Sequence, residues 1–233
     1  MNLTSKKFQT MMLVTAISGT ALLSTMPAAQ AETTASISVA NMYLWRGLDL
    51  SNPAGTSPSG AAVSGDLYYT HESGVYTGIW MSSEGVANSH ETDLNIGYSH
   101  SFGDLGVDVG AYEYLYTENG VSSQSDWDKT DAAEYYIGLS YAPVSFKVLQ
   151  NTAVSDNRYF SLDASFGMFG AHIGKTANKL SANEYTDYNV SVTPVENFTV
   201  LVSMASGKAI DNGTVGEKDP LFVVSYKWPF TVK

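Results

Sequence analysis

The strongest constraint on the fold is a pair of alternating segments, residues 63–70 and 75–82, joined by a four-residue turn that ends at Gly74. In both segments apolar residues such as Leu67 and Ile79 occupy every second position, and polar, small or aromatic residues lie between them. A period of two residues around a Gly-containing turn predicts a β-hairpin. One face of this hairpin suits lipid, and the other suits water.

The same alternation recurs along the chain and predicts twelve strands. They cover residues 36–47, 63–70, 75–82, 91–99, 107–116, 133–141, 144–148, 160–166, 171–175, 186–193, 198–204 and 222–230. Long connections follow the odd-numbered strands and short ones follow the even-numbered strands, which is typical of outer-membrane barrels with short periplasmic turns. We therefore predict an all-β fold in which residues 32–233 form a single closed antiparallel transmembrane β-barrel. Closure is needed because the backbone N–H and C=O groups of an open strand edge would find no hydrogen-bond partner in hydrocarbon.

The N-terminal residues predict export across a membrane. Two lysines precede an apolar segment, residues 11–23, and an A-x-A pattern ends at Ala31, so residues 1–31 are predicted to be a signal peptide cleaved after Ala31. Cleavage removes two lysines and no acidic residue, so the net charge changes from −11 to −13. Nucleic acid is therefore excluded as a partner, because its binding requires Lys and Arg side chains against phosphates. No cysteine is present, so no disulfide stabilises the chain.

Two predicted strands interrupt the alternation. In the first strand Tyr43 and Trp45 share the apolar face, and Asn41 predicts a bulge. In the fifth strand three tyrosines share a face with an aspartate, whereas Glu113 shares one with valines. A bulge near Ala111 would turn the tyrosines outward and Glu113 inward.

Aromatic residues concentrate near both ends of the predicted strands, where membrane barrels carry girdles at the interfaces. The predicted periplasmic girdle contains Tyr69, Tyr98, Phe102, Tyr141, Phe166, Phe169, Phe198 and Phe230. The predicted outer girdle contains Tyr43, Trp45, Trp80, Tyr114, Tyr116, Tyr135, Phe160 and Tyr185.

Side chains on the opposite faces would line a lumen that is wider than the interior of an eight-stranded barrel. The predicted lumen-lining residues are Arg46, Asp66, Tyr68, Tyr76, Trp80, Glu91, Asp93, Asn95, Asp108, Glu113, Glu134, Lys147, Asp163, Lys175, Asp187 and Asn189. Acidic residues outnumber basic ones, which predicts a weak preference for cations. Alternatively, the basic residues pair with the acids and brace the wall. Five glycines share this face and would either widen the lumen or receive aromatic rings against bare backbone: Gly78, Gly97, Gly110, Gly138 and Gly174.

Four parts of the chain are similar to a known family. They are residues 41–47 followed by Pro53-Ala54, and residues 71–80, 91–98 and 134–140. These segments resemble the TorF-like porin family of proteobacterial outer-membrane barrels, and the resemblance implies an outer-membrane location and a passive channel. Barrels of this kind usually end at an aromatic residue that the barrel-assembly machinery recognises. Here three residues follow Phe230, so either the signal tolerates them or the last strand is shifted.

Three functions remain open at this point. The first is a porin-like channel for the passive diffusion of small cationic solutes. The second is a structural or surface-interaction barrel with a closed lumen, acting through the loops at 48–60, 117–130 and 207–219. The third is an outer-membrane enzyme, which the sequence disfavours because the four histidines lack an identifiable nucleophile and no G-x-S-x-G motif occurs.

The expected partners follow from the barrel. They are outer-membrane lipid and lipopolysaccharide, the barrel-assembly machinery and small solutes. No cofactor or metal is predicted, because the acidic residues Asp126, Asp128 and Asp131 lack the glycine and distal glutamate of a calcium loop.

Overall fold

The computed structural model describes residues 31–52, 60–83, 90–117, 133–152, 156–213, 215–216 and 218–232. The strands are β1 (Glu32–Ala40), β2 (Leu44–Trp45), β3 (Leu48–Asp49), β4 (Ala62–Thr70), β5 (Val75–Ser82), β6 (His90–Phe102), β7 (Leu105–Thr117), β8 (Ala133–Tyr141), β9 (Val144–Asn151), β10 (Arg158–Phe166), β11 (Phe169–Ala177), β12 (Tyr185–Val195), β13 (Phe198–Ser206) and β14 (Leu221–Val232). Within these ranges there are also a short 3-10 helix, Ser181–Asn183, and one helical turn, α1, Lys208–Asp211. Apart from Ala31, the predicted signal peptide lies outside the described residues.

Twelve of the strands form one closed antiparallel barrel, which confirms the predicted fold class. Each strand pairs with its neighbours in sequence, and β1 pairs with both β4 and β14 to close the ring. The remaining two strands, β2 and β3, pair only with each other. Closure leaves no unpaired strand edge in the barrel wall, as a strand protein in hydrocarbon requires.

The two ends of the barrel differ in the length of their connections. At one end, which we call the short-turn end, the chain reverses within two to four residues: 71–74, 103–104, 142–143, 167–168 and 196–197. Gly103, Gly167 and Asn197 have positive φ angles there, which tight turns between twisted strands require. Longer connections lie at the other end, the long-loop end. The predicted alternation of long and short connections is therefore present.

The outer surface of the barrel is apolar. Ile96 and Val190 are each 61% exposed, and Val63 is 50% exposed, because the strand register directs these side chains away from the interior. Exposed apolar side chains of this density on every strand of the barrel wall are unfavourable in water and are typical of a surface that contacts lipid. No helix in the described part of the chain is both long enough and apolar enough to cross a membrane.

Only one of the two predicted aromatic girdles is present as predicted. The residues of the predicted periplasmic girdle point outward at the short-turn end, and Phe102 is the most exposed of them at 65%. At the long-loop end only Tyr135 and Phe160 of the predicted set point outward. Four others lie on inward faces and two lie inside the barrel: Trp80, Tyr114, Tyr116, Tyr185, Tyr43 and Trp45. The prediction was wrong for these six because part of the chain folds into the barrel at this end and aromatic rings pack together in the interior.

The first strand is shorter than predicted. β1 ends at Ala40, and the Asn41 side chain then makes two hydrogen bonds to the backbone of β14. Its Nδ2 donates to the Phe222 carbonyl at 2.9 Å, and its Oδ1 accepts from the Val224 N–H at 2.7 Å. The asparagine thus marks the end of the strand rather than a bulge. The chain then enters the barrel.

The predicted bulge near Ala111 is absent. The β6–β7 register runs without interruption from Phe102 opposite Leu105 to His90 opposite Thr117. Tyr112, Tyr114 and Tyr116 therefore face inward, and Glu113 faces outward. Tyrosine tolerates either face because its ring is apolar and its hydroxyl polar. The last strand continues through Val232 and is paired to β1 from Ser225 to Val232.

Candidate functional site

The candidate site is the interior of the barrel. Thirteen of the sixteen residues predicted to line a lumen lie on the inward faces of wall strands: Asp66, Tyr68, Tyr76, Trp80, Glu91, Asp93, Asn95, Asp108, Glu134, Lys147, Asp163, Asp187 and Asn189. Arg46 is inside the barrel but not on its wall. The structure thus brings most of the predicted residues together.

Two predicted residues lie on the outer face instead. Glu113 is opposite Leu94 and Ala133 in the register and faces outward with them. Lys175 is opposite Phe160, and its Nζ lies 3.9 Å from Glu184 Oε2 near the long-loop end. Both are corrections to the sequence analysis, and both follow from strict alternation without a bulge.

Residues 41–52 fold into the barrel as a small hairpin, which we call the plug. Its strands β2 and β3 are joined by Arg46 and Gly47, with φ angles of 47° and 78°. Two consecutive positive φ angles characterise a type I′ turn. Gly47 is required there, because a Cβ atom at this position would lie 2.5 Å from Asp187 Cβ on β12.

The plug is held mainly by apolar contacts. On one side Tyr43, Leu48 and Leu50 pack with Trp80 of the wall and with Ile210 of α1. On its other side Met42 and Leu44 pack against β13 and β14. The plug therefore fills the interior at the long-loop end, and its burial is the main source of its stability.

Arg46, at the tip of the plug, makes an ion pair with the opposite wall. Its Nη1 and Nη2 lie 3.1 and 2.6 Å from the two carboxylate oxygens of Glu134 on β8. The Arg46 Cζ lies 4.2 Å from the ring centroid of Tyr159 on β10 and 4.4 Å from that of Trp45. Tyr114 donates a further hydrogen bond to Glu134 Oε2 at 2.8 Å. The Arg46 and Glu134 side chains are only 9% and 7% exposed.

A polar belt of wall side chains fills the barrel beyond the plug. The Tyr76 hydroxyl donates to Asp108 Oδ1 at 2.6 Å and is hydrogen-bonded to the Tyr136 hydroxyl. Lys147 Nζ lies 3.9 Å from Asp108 Oδ2 and 4.6 Å from the Tyr136 ring centroid. These contacts cross the interior between β5, β7, β8 and β9.

The belt continues around the wall through His172 on β11. Its Nδ1 lies 2.6 Å from Asp163 Oδ1, and its Nε2 lies 3.0 Å from Asp187 Oδ1. The Tyr159 hydroxyl donates to Asp187 at 3.1 Å. Since Gly47 packs on Asp187, the belt and the plug meet at this residue.

Glycines on the inward faces receive aromatic rings, one of the two alternatives drawn from the sequence. The Tyr76 ring lies over Gly97, and the Tyr136 ring lies over Gly110. Any side chain at these glycines would overlap the rings. The glycines therefore let large side chains fill the interior rather than widen it.

Glu91 and Asp93 form a buried acidic pair beside the plug. They are adjacent on the inward face of β6 and only 1% and 3% exposed. The Tyr116 hydroxyl donates to Glu91 Oε1 at 3.3 Å. Glu91 Oε2 and Asp93 Oδ1 have no hydrogen-bond partner among the described residues. Burial of two carboxylates without a basic partner is unfavourable, and either a proton or a bound cation would relieve it.

Several inward residues were missed by the sequence analysis. Lys227 pairs with Asp66 at 3.4 Å, and Tyr136, Tyr159 and His172 belong to the contacts above. Alternation was sufficient to find Tyr136 and Lys227, since each lies two residues from another inward position. The described residues contain no group of three or more His, Asp or Glu side chains placed to hold a metal ion.

Comparisons with known proteins give a family and a fold. A family described as "Bacterial protein of unknown function (Gcw_chp)" matches residues 24–233. No curated protein matches the chain.

Solved structures that are similar to this chain include the following three. A structure described as "Unveiling the Mechanism Behind the in-meso Crystallization of Membrane Proteins" has a TM-score of 0.50 at 8% identity, over 86% of this chain and 83% of that one. The KdgM porin has a TM-score of 0.47 at 8% identity, over 86% and 99%. Pseudomonas aeruginosa OccK9 (OpdG) has a TM-score of 0.34 at 11% identity, over 76% and 56%. At such low identities the similarity concerns the fold alone.

Proposed function

The chain belongs to the Gcw_chp family of bacterial proteins of unknown function, and we propose that it is a porin-like channel of the outer membrane for the passive diffusion of small cationic solutes. The observation that carries this proposal is the excess of carboxylates on the inward faces, including the buried pair Glu91 and Asp93. Rings of charged side chains set the ion preference of pores. No catalysis is part of the proposal.

The location in the outer membrane is supported by the apolar outer surface and by the two unlike ends of the barrel. In this orientation the short-turn end faces the periplasm, and the long-loop end faces lipopolysaccharide. The signal peptide, residues 1–31, would direct export, and the barrel-assembly machinery would insert the strands. The resemblance to TorF-like porins agrees with this proposal and stays a prediction.

A second candidate is a closed barrel that serves as a structural or surface-interaction protein. The plug favours it, because Tyr43 and Leu48 occupy the interior at the long-loop end and are buried. Either the plug moves to open a pathway, or the lumen stays closed.

Single-channel recording on refolded residues 32–233 in planar bilayers tests both candidates. For a channel we expect discrete current steps and, in a salt gradient, a reversal potential that favours cations. A reversal potential that favours anions would contradict the cation preference. Absence of current from the wild type and from a variant without the plug would favour the closed barrel.

A further inference from the structure

The Arg46 guanidinium occupies a binding pocket that the wall builds without help from the plug. Glu134, Tyr114 and Tyr159 come from three different wall strands, β8, β7 and β10. Tyr114 fixes the Glu134 carboxylate from one side, and Asp187 accepts a hydrogen bond from the Tyr159 hydroxyl at 3.1 Å. The pocket is therefore held by contacts within the wall.

The geometry of this pocket is selective for one chemical group. Two carboxylate oxygens face two guanidinium nitrogens, at 3.1 and 2.6 Å, and the Arg46 Cζ lies 4.2 Å from the centroid of the Tyr159 ring. A planar cation with paired N–H donors satisfies both contacts, whereas an ammonium satisfies only one oxygen well. The aromatic face adds a cation–π attraction that a neutral planar molecule lacks.

Vacating this pocket would be unfavourable. Glu134 is 7% exposed, and removal of Arg46 would leave its carboxylate buried without a basic partner at this position. A buried unpaired charge is strongly destabilising, so the empty pocket would attract a replacement cation.

We propose that Glu134, Tyr114 and Tyr159 form a binding site for a small solute that carries a guanidinium group, and that Arg46 occupies this site as an internal substitute in the closed barrel. A solute that displaces Arg46 frees the tip of the plug. The role of the site in permeation rests on the proposed channel function, whereas the binding itself does not.

Competition with Arg46 sets the expected affinity. Arg46 is tethered to the chain and therefore acts at an effective concentration in the millimolar range. A free guanidinium solute must be present above that concentration to displace Arg46 from the wild type. Removing the tethered group should strengthen binding by at least about tenfold.

Methylguanidinium is the probe, and the Arg46→Ala variant refolded in detergent is the protein. Isothermal titration should give saturable binding at least about tenfold tighter than in the wild type. The double variant Arg46→Ala/Glu134→Gln should lose this binding, while methylammonium and neutral urea should bind Arg46→Ala weakly or not at all. Heat-dependent gel mobility shows that each variant has folded.

Equal binding of methylguanidinium to Arg46→Ala and to the double variant would overturn the proposal, as would equal affinities for methylguanidinium and methylammonium. If Arg46→Ala does not fold, the binding of the two cations is compared in the wild type by fluorescence. Trp45 stacks on Arg46, so methylguanidinium should change Trp45 fluorescence, judged against a Trp45→Phe variant, and methylammonium should not. No difference between the two cations would also overturn it.

Binding and conduction fail separately in these experiments. If the protein binds methylguanidinium in detergent but passes no current, the binding site is supported and the channel function is contradicted. If the protein conducts but shows no Glu134-dependent binding, the channel function is supported and the binding site is contradicted.

Discussion

The interior of the barrel is filled in two different ways. At the long-loop end it contains the plug, an inserted segment held by apolar packing of residues such as Leu48 and by one ion pair, Arg46–Glu134. Beyond the plug it contains the polar belt, in which wall side chains such as Tyr76 and Asp108 bond to one another. The plug is covalently continuous with the wall only at its two ends, so it can leave without breaking the barrel, whereas the belt consists of side chains of the wall itself. The difference predicts that removing the plug alters opening, whereas single changes in the plug or in the belt alter the free energy of unfolding.

The largest expected effect is that of deleting the plug. Ala40 and Ala62 are directly opposite each other, so a variant that lacks residues 42–51 can still connect β1 to β4 through the remaining loop. We expect single-channel steps with a higher conductance than those of the wild type, and a folded barrel by heat-dependent gel mobility. Deletion of residues 120–129, from the connection between β7 and β8, is the length-matched control. If both deletions conduct alike, the plug does not close the barrel.

Next in size is the effect of Glu134→Gln. This change leaves the Arg46 guanidinium buried without its carboxylate, which should lower the free energy of unfolding by about 3–5 kcal/mol. Urea unfolding in detergent, followed by gel mobility, measures the loss. Lys218→Ala breaks an ion pair with Asp211 in which both side chains are 65% exposed, and it should cost at most about 0.5 kcal/mol. Comparable losses in the two variants would show that the Arg46–Glu134 pair is no better than a surface ion pair.

The sequence predicted the wall well and the contents of the interior poorly, and the reason is physical. Alternation reports that two faces meet different surroundings, and from it the strands, their connections and most inward residues follow. In residues 42–47 the same alternation arises because one side of the plug packs on Trp80 and the other on β13 and β14. A buried hairpin and a lipid-facing strand therefore have similar patterns. The Arg46-Gly47 pair was the available signal, since glycine after a polar residue favours a two-residue turn.

Tyrosine was the second source of error. Tyr112 and its neighbours on β7 were assigned to lipid because interfacial tyrosines are common, yet they point inward to the belt and to Glu134. Asp108 lies on the same face by strict alternation and gave the correct orientation. Glu113, the other carboxylate at issue on β7, faces outward, so strict alternation without a bulge sets the orientation of this strand rather than the burial of its carboxylates.

A smaller effect is expected from Gly47→Ala. The new Cβ would overlap Asp187 Cβ, and φ is 78°, so both crowding and backbone strain oppose it. We expect a loss of about 2–3 kcal/mol in the free energy of unfolding. Gly103→Ala is the matched control, because Gly103 also has positive φ, 65°, but has no atom within 4 Å of an added Cβ. Only strain of about 1 kcal/mol remains there. Equal losses would mean that the tip of the plug does not contact β12.

The smallest effect belongs to the belt. Tyr76→Phe removes the hydroxyl that donates to Asp108 Oδ1 at 2.6 Å and keeps the ring over Gly97. Lys147 still faces the other Asp108 oxygen at 3.9 Å, so the carboxylate keeps a counter-charge and the loss should be about 1.5 kcal/mol. Urea unfolding measures this loss, and the control is Tyr69→Phe on the outer face of β4, where the hydroxyl is not buried and the change should be within about 0.5 kcal/mol.

Because the belt is a network, combining Tyr76→Phe with Lys147→Met should lower the free energy of unfolding by more than the two single changes added together. Simple additivity would mean that the belt is a set of independent contacts, and its contrast with the single ion pair of the plug would then disappear.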